Sequence, residues 1–508
     1  MTLNLATYFV DARVGEGRGD AVAIRTAHRT WRYREISAMT GRVARLLAQA
    51  DVRPEERVII ALPDGVPFVA ALFGILRRGA AVVMVNPDSP PDLLAYFFEY
   101  TRARAAFADR AHKAAIEAAT SALDPTPHVF VVDDPSLQPQ LLDSTGPTFA
   151  PFNSHRDDAA IWLFSGGTTG RPKAVVQTNR SYVNTTERYG QGVLGLTSND
   201  VTMAVPKLFF GYAMGSNVLF PFSVGASCVL FPERSTPETV FAQIEHHRPT
   251  ILINVPTMVQ QMVAHPTAAD RDLRCLRLAT SAGEALPAEL YERWQTTFGV
   301  ELLDGLGTAE MWHIFLSNRP GAVVPGTLGH AVEGFDIKLC DDEGREVPRG
   351  EAGMLWVKGD SRAIGYWQRH DDTMHAFRGE WYVSGDMLRQ NADGTFTYCG
   401  RVDDMLKISG KWLSPGELEN CLLQHEAVRE VAVVGVKNAD GLVKPCAFVV
   451  CNEASSGLAA ELQAFAKARL EPYKYPREVI FLDTLPRTHL GKVDRNALAN
   501  RPMDDTSV

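Results

Sequence analysis

Continuous apolar runs, separated by Gly, Pro and polar turns, dominate the chain to about residue 400. The runs at 58–62, 80–85, 128–132, 226–231 and 250–255 carry no Asp, Glu, Lys or Arg and are rich in β-formers. Such runs are what strands buried on both faces look like. Between them lie stretches of helical character, of which 67–77 is the clearest. Strands alternating with helices predict an α/β architecture. The segments 335–339 and 354–358 differ, alternating apolar and polar positions around the turn Asp341-Asp342-Glu343-Gly344. They predict a small antiparallel β unit. Near residue 400 the texture changes again. Beyond the turn Asn391-Ala392-Asp393-Gly394, helices are expected at 417–425 and 458–470, and strands at 431–436, 447–451 and 479–482. These make a small second α/β domain. The expected fold is therefore a large N-terminal α/β domain with a small β unit, residues 1–402, and a small mobile α/β domain, residues 403–508.

The length, 508 residues, exceeds what one core serves and agrees with two domains. A composition 45% hydrophobic and 22% charged is that of a soluble globular protein. The net charge of -9 excludes a non-specific nucleic-acid binder, which carries a basic face. Seven cysteines, none in C-x-x-C spacing, fit reduced thiols in a cytoplasmic protein rather than a disulfide framework or zinc site. The first residues lack the basic and apolar regions of a secretory signal, and the apolar stretch 66–76 stops at Arg77-Arg78, short of a membrane span. No membrane partner is expected. Monomer and homodimer both stay open.

The candidate chemistry starts at 159–164, an apolar run that empties into Ser165-Gly166-Gly167-Thr168-Thr169-Gly170-Arg171-Pro172-Lys173. Glycines let backbone N–H groups surround an anion, and the hydroxyls and Lys173 add donors and charge. The loop predicts nucleotide-triphosphate binding; taken alone it also reads as a polar hairpin turn. It is no Walker loop, because Gly170 is not followed by Lys and Ser/Thr, and Pro172 removes a donor. Three later segments place small residues and a carboxylate after a strand: Gly283-Glu284-Ala285, Asp304-Gly305-Leu306-Gly307-Thr308-Ala309-Glu310, and Ser384-Gly385-Asp386. Ligands bind at such strand ends in open α/β sheets. Glu310 suits Mg2+, which takes few carboxylates plus phosphate oxygens. Asp386 suits ribose hydroxyls.

Together these segments resemble the adenylate-forming superfamily of acyl- and aryl-CoA ligases, adenylation domains and luciferases, over nearly the whole chain and in family order. By this resemblance 165–173 is the phosphate loop, 283–285 the adenine-side segment, Glu310 the metal-binding acid and Asp386, followed by Arg401, the ribose and nucleotide side. Gly400-Arg401-Val402-Asp403-Asp404 resembles the interdomain hinge with Asp403 as pivot. The segment 487–492 resembles the one carrying the adenylation lysine, Lys492. Two stretches look like the benzoate-CoA ligase branch: the first contains Phe209, Phe210, Gly211, Tyr212 and Ala213, the second runs from Asp304 through Glu310 to His313, Ile314 and Asn318. Glycines beside aromatics suit a flat aryl acid, and Gly211, Ala213, Gly283 and Gly305 suggest room for it. His313 reads equally as a pocket residue or a packed histidine. The chain departs from the pattern at Ala309, where a Thr is usual, at Leu306, where an aromatic stacks on adenine, and at Trp412, where many members have Arg.

The resemblance implies two steps. An aryl carboxylate attacks the α-phosphate of ATP, releasing pyrophosphate, with Lys492 bridging the two, Mg2+ on Glu310, and Thr308 as the nearest hydroxyl. The small domain then turns about Asp403 and brings Ser409, Gly410 and Lys411 over a tunnel through which the thiol of coenzyme A displaces AMP. The leading expectation is a ligase joining benzoate, or a small amino- or hydroxybenzoate, to CoA. The alternative is a stand-alone adenylation protein that loads a carrier protein. A nucleotide binder without catalysis would not need Lys173, Glu310, Asp386 and Lys492.

Overall fold

The computed structural model describes residues 1–138, 149–166, 171–402, 405–408, 411–437, 443–451, 457–487 and 493–501. It is α/β throughout, with a large N-terminal and a small C-terminal part. Its contacts group it into two compact units, Met1–Ile337 with Trp356–Val383, and Lys338–Leu355 with Ser384–Val508. This grouping assigns 384–402 to the smaller unit, whereas the hinge motif divides the sequence at 402/403.

The larger unit holds two sheets. In the first, seven strands lie in the order Gly365–Tyr366, Lys173–Thr178, Ala159–Ser165, Ala81–Met84, Arg57–Ala61, Ala105–Ala108, His128–Val131. Lys173–Thr178 is antiparallel to both its neighbours, and the other six strands run in one direction. The second sheet has nine strands, with a parallel centre of Val201–Ala204, Ile251–Asn254, Leu278–Ser281 and Leu302–Gly307. The apolar runs end up here because a parallel sheet is covered on both faces: Ile59, Val83 and Ala106 belong to one buried cluster, and Met203, Leu252, Ala279 and Leu302 to another closed by Trp294. The expected helix at 67–77 is Val66–Arg78, ended by Gly79 at φ +78°. Gly74 lets it press on helix Tyr33–Gln49, since a Cβ there would stand 2.2 Å from Val43.

In the smaller unit, Val428–Lys437, Val443–Cys451 and Glu478–Phe481 form a three-stranded sheet. Alternate residues feed opposite clusters: Val431, Val433, Ala447 and Val449 meet Leu418, Leu462 and Ala466, while Ala432, Val434, Cys446 and Phe448 meet Leu485 and Leu498. The helices Pro415–Leu422 and Leu458–Lys467 thus cover one face. The turn at 341–344 forms as expected, with Gly344 at φ +80° donating its N–H to the Asp341 carbonyl at 3.0 Å.

Two expectations are corrected. Asp304, Gly305, Leu306 and Gly307 do not follow a strand but lie within Leu302–Gly307, and Ser384 to Asp386 lie within Trp381–Gln390. The antiparallel strand Ile314–Ser317 can pair with 305–307 because glycines face it: a Cβ on Gly305 would stand 2.8 Å from the Leu316 carbonyl oxygen. Among the described residues no helix is long and apolar enough to cross a membrane.

Candidate active site

Three candidate segments leave the carboxyl ends of parallel strands in the nine-stranded sheet. Val201–Ala204 leads to 207–215, Leu278–Ser281 to 283–285, and Leu302–Gly307 to 308–310. Parallel strands end on one edge, which is where open α/β sheets bind ligands.

On the first segment Phe210 is exposed and Phe209 half-buried, their ring centroids 4.5 Å apart. Tyr212 is braced by its hydroxyl, 2.6 Å from Oγ1 of Thr280 on the next strand end but one. Gly211 and Gly305 do not leave room: the space beside them is taken by Leu163, at 2.8 Å, and by the Leu316 backbone. Ala213 is fully buried. Of the glycines at 211, 283 and 305, Gly283, at φ +90°, is the one where a Cβ would meet open space. Glu284 is exposed and accepts from the Thr257 hydroxyl at 2.7 Å; Ala285 is exposed too.

On the last segment Asp304 is buried, and burial pushes its carboxyl well above the usual carboxylate range despite N–H donors from Gly305 and Leu286. Leu306 is half-buried and pairs with Leu316. Thr308 caps the turn Ala309–Met311, its Oγ1 accepting from the Met311 N–H at 3.3 Å. Glu310 is 4% exposed and accepts from the Tyr366 hydroxyl at 2.8 Å. No Lys, Arg or His lies within 4.0 Å of it among the described residues, so a buried carboxyl group stands there without a cation. The next residue but one, Trp312, holds φ +68°, strained for a bulky side chain. His313 is a packed histidine, ringed by Tyr189, Tyr212, Phe220 and Trp312. Its Nε2 donates to the Tyr212 carbonyl at 3.1 Å, and burial pushes its pKa down to about 3. Ile314 is buried.

Ser165 and Lys173 face each other where the strands Ala159–Ser165 and Lys173–Thr178 meet their connecting loop, so the loop does join a hairpin. Lys173 Nζ lies 3.2 Å from Asp372 and 5.1 Å above the Tyr366 ring. A Cβ on Gly166 would meet nothing within 4 Å. Gly167, Thr168, Thr169 and Gly170 lie outside the described residues, as do Asp403, Ser409, Gly410 and Lys492. Lys411 opens the strand Lys411–Leu413.

In the smaller unit Asp386 is 5% exposed. It accepts from the Ser384 hydroxyl at 2.5 Å, and from Tyr398 and Arg401 at 3.3 Å each. Arg401 lies over Gly385, where a Cβ would come 2.6 Å from its guanidinium.

Sequence reasoning missed Tyr366, Thr280 and Ser384 as supports of named site residues. Ser384 stood within the candidate segment 384–386 and Thr280 just before 283–285, whereas Tyr366 lay outside every candidate segment.

The chain matches the AMP-binding enzyme family over residues 11–367 and the AMP-binding enzyme C-terminal domain over 417–492. It is 39% identical to the 4-hydroxybenzoate–CoA/benzoate–CoA ligase of Rhodopseudomonas palustris, over 97% of this chain and 93% of that protein. The solved benzoate CoA ligase of Burkholderia xenovorans LB400 is 40% identical, with a TM-score of 0.88 over 98% of this chain and 99% of that one. The anthranilate CoA ligase AuaEII, solved with anthranoyl-AMP, is 35% identical, with a TM-score of 0.91 over 98% of this chain and 96% of that one.

Proposed function

The chain belongs to the AMP-binding enzyme family and is an ATP-dependent, AMP-forming aryl-CoA ligase, and from that premise we propose that it activates benzoate or a small hydroxy- or amino-substituted benzoate. The observation that carries this reading is the aromatic segment holding Phe209, Phe210 and Tyr212 on the same sheet edge as Thr308 and Glu310. Relatives named for benzoate, 4-hydroxybenzoate and anthranilate agree with it.

In the first step the aryl carboxylate attacks the α-phosphate and pyrophosphate leaves. This chemistry needs positioning and charge neutralisation more than a protein nucleophile. The 165–173 loop holds the departing phosphates, with Lys173 as a supporting charge. Asp386 receives the ribose hydroxyls, and Lys492 bridges carboxylate and α-phosphate. Glu310 fits Mg2+, being a buried carboxyl without a cation beside it, while no cluster of three His, Cys, Asp or Glu forms a protein-only cage among the described residues. Bound there, the ion supplies neutralisation of phosphate charge. In the second step the smaller domain turns about Asp403, Lys492 withdraws, and Ser409, Gly410 and Lys411 line the path by which the CoA thiol attacks the acyl carbon and expels AMP. The seven free cysteines need take no part, and they support a reducing, cytoplasmic setting.

AMP release measured over a panel of benzoates, with CoA or a carrier protein as acceptor, tests the reading. CoA-dependent turnover with a small benzoate is expected. Turnover with a carrier protein alone, or with aliphatic acids in preference, would overturn it.

A further inference from the structure

We infer that Asp64 is a positioning residue for the aryl-acid pocket, its buried carboxylate anchoring the backbone from which Phe209, Phe210 and Tyr212 project. This rests on reading 209–213 as that pocket.

Asp64 follows strand Arg57–Ala61 of the seven-stranded sheet, whereas Leu208 follows Val201–Ala204 of the nine-stranded one. The Leu208 N–H donates to Asp64 Oδ1 at 2.8 Å, spanning 144 positions. Asp64 is 6% exposed and Leu208 fully buried. No Lys, Arg or His comes within 4.0 Å of Asp64 among the described residues. A carboxylate buried without an ion pair is a net cost to the fold, so its presence calls for a gain elsewhere. The neighbouring Lys207 does not close the pair. Its ammonium donates to the Phe231 carbonyl at 3.0 Å and sits 3.9 Å over the Phe231 ring. The other titratable groups near these two are the buried Cys228 thiol and Glu233. Residues 207 and 208 are therefore tied to two different strand ends just before the aromatic pair. With both ties in place the loop enters 209–213 at a set height and angle, and Thr280 fixes the far side through Tyr212. Releasing Asp64 loosens one of these ties and leaves the nucleotide segments 283–285 and 308–310 where they are.

The test is benzoate-dependent ATP–pyrophosphate exchange on the full chain with Asp64→Ala and Asp64→Asn. Asp64→Ala should raise KM for benzoate about 10- to 100-fold, the equivalent of losing a hydrogen bond to a charged group. KM for ATP should stay within about 2-fold. Asp64→Asn keeps a carbonyl acceptor and should recover benzoate KM to within about 3-fold of the parent. An unchanged benzoate KM, or equal rises for both substrates, overturns the inference. Should Asp64→Ala fail to fold, Asp64→Asn still decides: its weaker acceptor should raise benzoate KM by about 2- to 3-fold with KM for ATP unmoved, and an unchanged benzoate KM or a shift shared with ATP counts against the idea. Phe209→Ala and Tyr212→Phe separate the two readings. If they also leave benzoate KM unmoved, the pocket assignment fails; if they raise it and Asp64→Ala does not, only the positioning role fails.

Discussion

Gly307→Ala is the substitution whose effect the geometry sets most directly. An added Cβ at this position would stand 2.5 Å from the His313 carbonyl oxygen, 2.6 Å from its carbon and 2.8 Å from the Ile314 nitrogen. All three are backbone atoms, so no rotamer change relieves the clash. The strand Leu302–Gly307 must separate from Ile314–Ser317 by roughly 1 Å to restore ordinary contact. Overpacking of this kind costs about 1–3 kcal/mol, and for so large a unit it should lower Tm by roughly 1–4 °C. The functional loss should be larger. Thr308 and Glu310 follow Gly307 directly, and a displacement near 1 Å in a positioned site costs about 100-fold in rate. Benzoate-dependent ATP–pyrophosphate exchange and thermal unfolding read the two effects on one preparation. Gly15→Ala is the control, since a Cβ there meets nothing within 4 Å. Exchange within 3-fold of the parent together with Tm within about 1 °C would refute the argument.

His313 should remain neutral above about pH 5, because burial holds its pKa down to about 3; a 15N-detected midpoint near 6.5, assigned by its loss in His313→Gln, would contradict this. Asp64 is pushed up to about 6 from 3.8 by burial, so the native state binds more protons between those values and unfolding free energy falls as pH rises through them, by up to ~3 kcal/mol. Asp64→Asn should flatten that slope in denaturant titrations at pH 4 and 6.5; an unaltered slope sinks the assignment. Thr308→Ala should lose about 1 kcal/mol through the cap and at least 10-fold in adenylation, whereas Thr308→Ser, which keeps the hydroxyl, should lose little of either; equal effects of the two would show the hydroxyl to be idle. Lys492→Ala should abolish adenylation yet retain thioester formation from supplied benzoyl-AMP, and parallel loss of both half-reactions rules out its bridging role.

Much of the fold was legible because parallel strands covered on both faces leave unbroken apolar runs, as at 58–62 and 250–255. The hairpin around 165–173 was legible as a strand feeding a Gly-rich loop. What stayed hidden depends on pairing across long separations. Nothing near Asp304 announces that residues 305–307 will be paired by 314–317, and so a stretch rich in glycine read as a loop. Glycine is ambiguous in the same way at Gly211. A missing side chain means either space for a ligand or close approach of a neighbour, and only the fold reveals Leu163 in that place. Tyr366 meets Glu310 across 56 positions and Asp64 meets Leu208 across 144, distances over which local pattern carries no information.

Those long-range contacts share one arrangement. Four residues of the candidate site in the larger unit are each held by a group from another part of the chain. Thr280 holds Tyr212, the Tyr212 carbonyl holds His313, Tyr366 holds Glu310, and the Gln177 amide donates to the Ala309 carbonyl at 2.8 Å. A reaction driven by placing a carboxylate in line with a phosphate needs this kind of cross-bracing more than it needs any single reactive group. Sites tied through shared partners respond non-additively to substitution. Tyr212→Phe should therefore make a change at His313 less costly than it is in the parent, since Thr280, Tyr212 and His313 form one chain of contacts, while Tyr366 acts on Glu310 through a separate one.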